Sequence, residues 1–257
     1  MQRNYMCERL KTDVCGVMFD TLTADKARER LYSALDGNAP QTALFTPNPE
    51  IVMIAEKDAE FKEILNGAEL VVADGIGVIK AAKILKTPLP ERIPGIELGE
   101  AMIRYCASKG GALPVYLLGG KPGVAEDAAK VLTEKYTGLL VCGTHDGYFD
   151  MSGGEEYEKV IAEINEKKAA LVLVCVGAPK QEKWIAANRE KLPCVRVFAG
   201  LGGSLDVFSG RSKRAPAFFC KFGLEWFYRL LKEPSRIGRM SRLPLFLVKA
   251  YKYKKKK

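Results

Sequence analysis

Short apolar runs recur along this chain at residues 43–45, 70–73, 115–118, 139–142, 171–176 and 195–199. Unbroken runs of this length, without polar alternation, predict strands buried on both faces. Between them lie segments of helical periodicity. Residues 50–65 are closed by Gly67 and residues 99–109 by Gly110, each glycine standing where a helix C-cap is expected. Strand and helix in alternation predict an α/β fold: a mostly parallel, Rossmann-like sheet flanked by helices.

No internal repeat or low-complexity linker interrupts residues 1–210. The pattern then changes. GRSKRAP at 210–216 reads as a hinge, and an aromatic-rich helix is expected over 217–232. Pro234 breaks it, a second short helix follows, and the chain ends in YKYKKKK. Two units are expected: an α/β core over 1–210 and a helical, basic appendage over 211–257.

Charge follows the same division. The 257 residues carry a net +9, yet residues 211–257 hold 15 Lys/Arg against only Glu225 and Glu233, while the first 210 residues sum to −4. Such asymmetry points the appendage at something anionic: phospholipid, nucleic acid or a diphosphate. A solvated tail is the plainer alternative. Seven cysteines without CxxC spacing suggest neither a disulfide framework nor a zinc site, which fits a reducing cytoplasm. No stretch approaches the ~20 apolar residues of a membrane span, so membrane contact is expected to be peripheral.

In open α/β sheets ligands sit beyond the carboxyl ends of the strands. The residues just after the apolar runs are Thr46-Pro47-Asn48-Pro49, Asp74-Gly75-Ile76-Gly77, Gly119-Gly120-Lys121-Pro122-Gly123, Gly177-Ala178-Pro179-Lys180-Gln181 and Gly200-Leu201-Gly202-Gly203. Each has a structural alternative: Asn48 as a helix N-cap, or Asp74 as the cap of the helix after it. The GGKPG run matches neither GxGxxG nor GxxxxGK[ST], though its glycines permit close approach of a phosphate or ribose. The only histidine, His145, reads as a loop residue, and no DxD carboxylate pair is present. A sugar transfer on this chain would need arginine or lysine to neutralise the leaving group.

TPNPE, LVVADGIGVIKAAK, ERIPGIEL, VYLLGGKPG, VGAPKQEKW and AGLGGSLDVFSG stand in an order and spacing that resembles the WecG/TagA/CpsF family, over roughly residues 13–240. The resemblance implies an inverting, metal- and cofactor-independent glycosyltransferase. Its donor would be a UDP-N-acetylmannosamine-type sugar. Its acceptor would be undecaprenyl-diphosphate-linked N-acetylglucosamine, for teichoic acid linkage units or surface polysaccharide. It further implies Asp74 as catalytic base, with Arg92 placing a phosphate and Thr46, Asn48 and Gln181 binding sugar groups. Gly119 and Gly120 would approach the nucleotide. Arg229, Arg236 and Arg239 of the appendage would close over the donor diphosphate.

Inverting transfer needs one carboxylate to take the acceptor proton, which suits Asp74. Phe218, Phe219, Phe222, Trp226 and Phe227, with LPLFLVKAYKYKKKK, suggest a helix in an anionic membrane surface rather than a plain core helix. The expected location is the inner face of the cell membrane. A homo-oligomer stays open. Two rivals stand beside this reading: nucleic-acid binding through the basic segment, and a nicotinamide-dependent sugar oxidoreductase, whose glycine fingerprint is missing.

Overall fold

The structure is a computed structural model that describes residues 10–213, 215, 216, 219, 228 and 242–255. Arg229, Arg236 and Arg239, and most of the expected aromatic helix, lie outside the described residues.

A hairpin comes first: β1 (Lys11–Val14) pairs antiparallel with β2 (Val17–Asp20), Val14 opposite Val17. Its two-residue turn places Cys15 at φ 56° and Gly16 at φ 90°, the positive-φ geometry that matches strand twist in tight hairpins. The hairpin is absent from the sequence expectations. Its strands are four residues each, and only Val17–Phe19 of β2 forms an apolar run, beside a polar β1.

The rest is a six-stranded parallel sheet built from β3 (Thr42–Phe45), β4 (Leu70–Val71), β5 (Val115–Gly119), β6 (Val141–His145), β7 (Leu171–Cys175) and β8 (Val197–Gly200). The spatial order is β4-β3-β8-β7-β5-β6. All six expected strands are present. Five keep the interior character read from their sequences, but β6 runs later than expected and is half-exposed throughout, as suits an edge.

Helices cover both faces. On one lie α2 (Pro49–Lys57), α3 (Ala59–Gly67), α4 (Ile76–Ile84), α7 (Glu155–Glu166) and α8 (Lys180–Asn188), packed on Ala43, Phe45, Val172 and Val174. On the other lie α1 (Ala24–Leu35), α5 (Gly95–Ser108), α6 (Val124–Lys135) and α9 (Ser204–Phe208), packed on Leu44, Leu171 and Leu173. Strand alternation sends neighbouring residues to opposite layers, so each run had to be apolar throughout. The single helix expected over 50–65 is two, because Asp58 leaves helical geometry and its side chain accepts from Phe61 N to start α3. The helix expected from Gly99 begins four residues earlier, at Gly95.

A last helix, α10 (Arg242–Lys254), closes the molecule. It seats Phe246 (1% exposed) and Ala250 (0%) in the layer that holds α2 and α4. Tyr253 Oη donates to Asp13 Oδ2 at 2.9 Å, and Lys249 pairs with Glu56 of α2. At the start of the expected hinge, Arg211 pairs with Asp127 of α6 and reaches the Pro122 carbonyl, fastening it beside the GGKPG loop. No helix among the described residues is long and apolar enough to cross a membrane.

Candidate active site

The strand order sets which loops can meet. β4, β3, β8 and β7 are consecutive in the sheet, so the loops bearing Asp74, Thr46 with Asn48, Gly200–Gly203 and Gln181 line one continuous stretch of the carboxyl edge. Gly119 and Gly120 follow on β5, four interstrand spacings from β4, or about 19 Å.

Asp74 is held by backbone geometry. Its N–H donates to the Pro47 carbonyl at 3.2 Å, and Ile93 N donates to the Ala73 carbonyl at 2.9 Å. The Asp74 loop therefore lies between the Thr46–Asn48 loop and the segment carrying Arg92. Asp74 Oδ2 accepts from Gly95 N, the first residue of α5, at 3.3 Å. The helix after Asp74 receives no side-chain cap, and neither does α5 from its own Pro94. The expected alternative, Asp74 as cap of α4, is thus replaced: it caps α5 from a distance in sequence. Two helix N-termini meet at this half-exposed carboxyl, and their dipoles favour negative charge there.

Thr46 packs on the same helix start. A Cβ on Gly95 would lie 2.8 Å from Thr46 Oγ1, so glycine is required for α5 to approach this loop. Asn48 does serve as an N-cap, its Oδ1 accepting from Ile51 N at 3.1 Å. That bond occupies its carbonyl end and directs Nδ2 elsewhere. Gly75, at φ 110°, brings the Asp74 loop to within van der Waals reach of Asn48 Cβ. Thr46, Asn48, Asp74 and the Arg92 segment are brought together.

Gln181 lies on the neighbouring stretch and is buried, 2% exposed. Its Oε1 accepts from Gly202 N at 2.9 Å and its Nε2 donates to Glu182 Oε1 at 2.8 Å. Glu182, which the sequence reading passed over, is 1% exposed. Burial pushes its carboxyl up to about 7, against the bonds from Gln181 and from its own backbone N–H. The signal was legible in GAPKQEKW, where a glutamate stands at the third helical position behind a proline cap.

Gly119 and Gly120 are accounted for by the chain itself. A Cβ on Gly119 would strike the Cys175 carbonyl of β7 at 2.4 Å, and one on Gly120 would strike Val124 at 2.7 Å. Gly147 N donates to the Gly120 carbonyl at 3.0 Å, which draws the loop after β6 alongside. His145, expected in a loop, ends β6. It meets the Asp146 carbonyl at 2.8 Å, Glu156 at 3.0 Å and the edge of Phe149. Burial opposes its protonation, but the bonds to Glu156 and Asp146 outweigh that and hold its pKa above the usual value. Among the described residues no group of three His, Cys, Asp or Glu side chains is placed to hold a metal ion.

The chain matches the model of the glycosyl transferase WecG/TagA/CpsF family over residues 12–257. It is 39% identical over 248 residues to a protein of Staphylococcus aureus strain MRSA252 named N-acetylglucosaminyldiphosphoundecaprenol N-acetyl-beta-D-mannosaminyltransferase, covering 96% of this chain and 94% of that one. The protein of that name in strain NCTC 8325 is equally similar, at 39% over 248 residues. The chain belongs to the WecG/TagA/CpsF family of glycosyltransferases.

Proposed function

We propose that this chain, as a member of that family, transfers N-acetylmannosamine from a UDP donor to N-acetylglucosamine linked through a diphosphate to undecaprenol. The two staphylococcal relatives bear the name of that activity and align along nearly their whole length. Neither a nucleic-acid binder nor a nicotinamide enzyme gains support from them. The observation that carries the reading is the meeting of Asp74 with Thr46, Asn48 and the start of α5 at the sheet's carboxyl edge.

In this reading the acceptor hydroxyl attacks the anomeric carbon and gives its proton to Asp74. The new C–O bond forms as the bond to the donor β-phosphate breaks, UDP departs with the electron pair, and the anomeric configuration inverts. The bond from Gly95 N to Oδ2 orients the carboxyl before substrate arrives. Arg92, one residue before the contact of Ile93 N with the Ala73 carbonyl, would place a phosphate. Asn48 Nδ2, Thr46 Oγ1 and the second Nε2 hydrogen of Gln181 suit hydroxyl and acetamido groups. Gly119 and Gly120 would border the nucleotide. Arg229, Arg236 and Arg239 would neutralise the departing diphosphate from the appendage.

The same appendage would hold the enzyme to the membrane. α10 is apolar on two sides: Phe246 and Ala250 face the core, while Leu245 (57% exposed), Val248 (54%) and Tyr251 (54%) face out. Lys252, Lys254 and Lys255 follow, each worth about 1 kcal/mol against an anionic leaflet. Because α2 begins at the Asn48 cap and α4 just after Asp74, a helix lying on both ties lipid contact to the loops that would bind the lipid-linked acceptor. The division at residue 210 is accordingly functional, with α10 returning to the core as the membrane-facing support of the site.

The test is UDP release with a panel of UDP-sugars and a short-chain lipid-diphosphate-N-acetylglucosamine acceptor. UDP-N-acetylmannosamine should be used at least tenfold better than UDP-N-acetylglucosamine or UDP-glucose, and only with the acceptor present. Acceptor-independent release, or preference for another donor, would contradict the assignment.

A further inference from the structure

Glu182 occupies the third position of α8, behind a cap residue that is Pro179. In a capping box the third-position glutamate reaches back to the N–H of the cap residue, but proline has none to offer. The carboxyl turns inward instead. Oε1 accepts from Gln181 Nε2 at 2.8 Å, while Oε2 is buried with no hydrogen-bond partner among the described residues. Trp184 Nε1 is also buried without a partner, yet it stands two positions along the helix, where side chains point to different faces. Charged groups on the surrounding elements are engaged elsewhere. Lys183 pairs with Asp58 and Glu60 of α3, and Arg189 pairs with Glu69 before β4. Among the described residues no charged neighbour shifts this carboxyl, and burial is the main cause of its raised pKa.

The two ends of a carboxamide are alike in shape, so its orientation is set by its partners. Gly202 N can only donate, so Gln181 Oε1 faces it and Nε2 is left to Glu182 Oε1, which accepts whenever the carboxyl is ionised or holds its proton on Oε2. A Cβ on Gly200 would lie 3.0 Å from Nε2, so the glycine loop after β8 closes directly over this amide.

We propose that Glu182 is a positioning residue for Gln181: its buried carboxyl fixes the carboxamide so that Oε1 clamps the Gly202 loop and Nε2 presents one N–H to the bound sugar nucleotide. The proposal rests on the reading of Gln181 as a sugar-binding residue. The neutral carboxyl suits its burial. Gln181 Nε2 bonds the ionised form more strongly, but that bond does not offset the burial of a charged Oε2, so the carboxylate is drawn toward water and positioning weakens as pH rises through about 7.

Two measurements on the full chain test it. The first is kcat/KM for Gln181→Ala, Glu182→Ala, the double variant and Glu182→Gln, with thermal melting of each. Each alanine variant should lose about tenfold, and the double variant no more than about threefold beyond Gln181→Ala, because both changes remove one unit. Glu182→Gln, whose amide oxygen still accepts, should recover most of that loss and flatten the alkaline decline. Losses that multiply to about a hundredfold, or an alkaline decline unchanged in Glu182→Gln, overturn the proposal. Should Glu182→Ala not melt cooperatively, the pH profile of Glu182→Gln decides alone. The second measurement is the ¹⁵N spectrum of the Gln181 side-chain amide in the free protein. Its signals should move with pH in the wild type and stay fixed in Glu182→Gln, whether or not UDP-N-acetylmannosamine proves to be the donor. A Gln181 signal indifferent to Glu182 overturns the positioning role even where transfer is established, and absent transfer with a moving signal overturns only the functional reading.

Discussion

The carboxyl edge of the sheet has two halves built on opposite terms. At β3 and β4, Thr46, Asn48 and Asp74 are half-exposed and held by backbone bonds and helix starts. At β7 and β8, Gln181 and Glu182 are buried and hold one another, and the nearby chain approaches so closely that Gly119 tolerates no Cβ. An open half suits chemistry on an arriving hydroxyl. A closed half suits fixing one substrate in one orientation, since buried donors and acceptors discriminate strongly when left unmatched.

The contrast breaks first at Asp74. Asp74→Asn keeps the shape and the bond from Gly95 N but cannot take a proton, so kcat should fall by about 10² to 10⁴ with UDP binding intact. Gln181→Ala should act differently, raising KM as well as lowering kcat, with a total loss nearer tenfold. Steady-state kinetics with UDP affinity measured separately checks both; equal losses of the same kind would erase the distinction.

The closed half has its own signature in stability. The folded pKa of Glu182 lies above the ordinary carboxylate value, so its contribution is fully present below about pH 4.5 and is lost as pH rises through about 7. Between about pH 5 and about pH 8 the wild type should lose about 2 kcal/mol relative to Glu182→Gln, measured by denaturant unfolding across that range. A constant difference between the two proteins would show that the carboxyl is not buried as described.

Helix α10 offers a similar pair of faces on a smaller scale. Phe246→Ala should destabilise by about 3 kcal/mol, since it empties a packed aromatic site. Leu245→Asp with Val248→Asp, on the exposed face, should change stability by less than about 0.5 kcal/mol while lowering binding to anionic liposomes about tenfold. Unfolding and liposome sedimentation separate the two. The smallest effect expected is that of chelation: with no DxD in the sequence, EDTA should leave turnover within about twofold.

Much of this was readable in the sequence because parallel strands buried on both faces leave uninterrupted apolar runs, and the residues that follow them mark the ligand edge by topology. Asp74, Thr46 and Asn48 were found that way, and the structure brings them together. What escaped detection depended on contacts between distant segments. In the β1–β2 hairpin the one apolar run, Val17–Phe19, stands beside a polar β1, and partners across the fold supply the burial. The break at Asp58 turns on one side chain capping rather than continuing a helix. Asp74 as the cap of α5 joins residues 21 apart, beyond any local pattern. Glu182 stands in the first turn of α8, and no local pattern shows that its carboxyl is buried.

The central claim is a transfer that uses one carboxylate and inverts the anomeric centre. The most direct test is the ¹H and ¹³C NMR spectrum of the disaccharide-lipid formed from an α-linked UDP-N-acetylmannosamine, with UDP quantified in the same reaction. The account predicts a β-linked product and one UDP per linkage formed. An α-linked product would mean that configuration is retained, which a single displacement from the opposite face cannot give, and would contradict it.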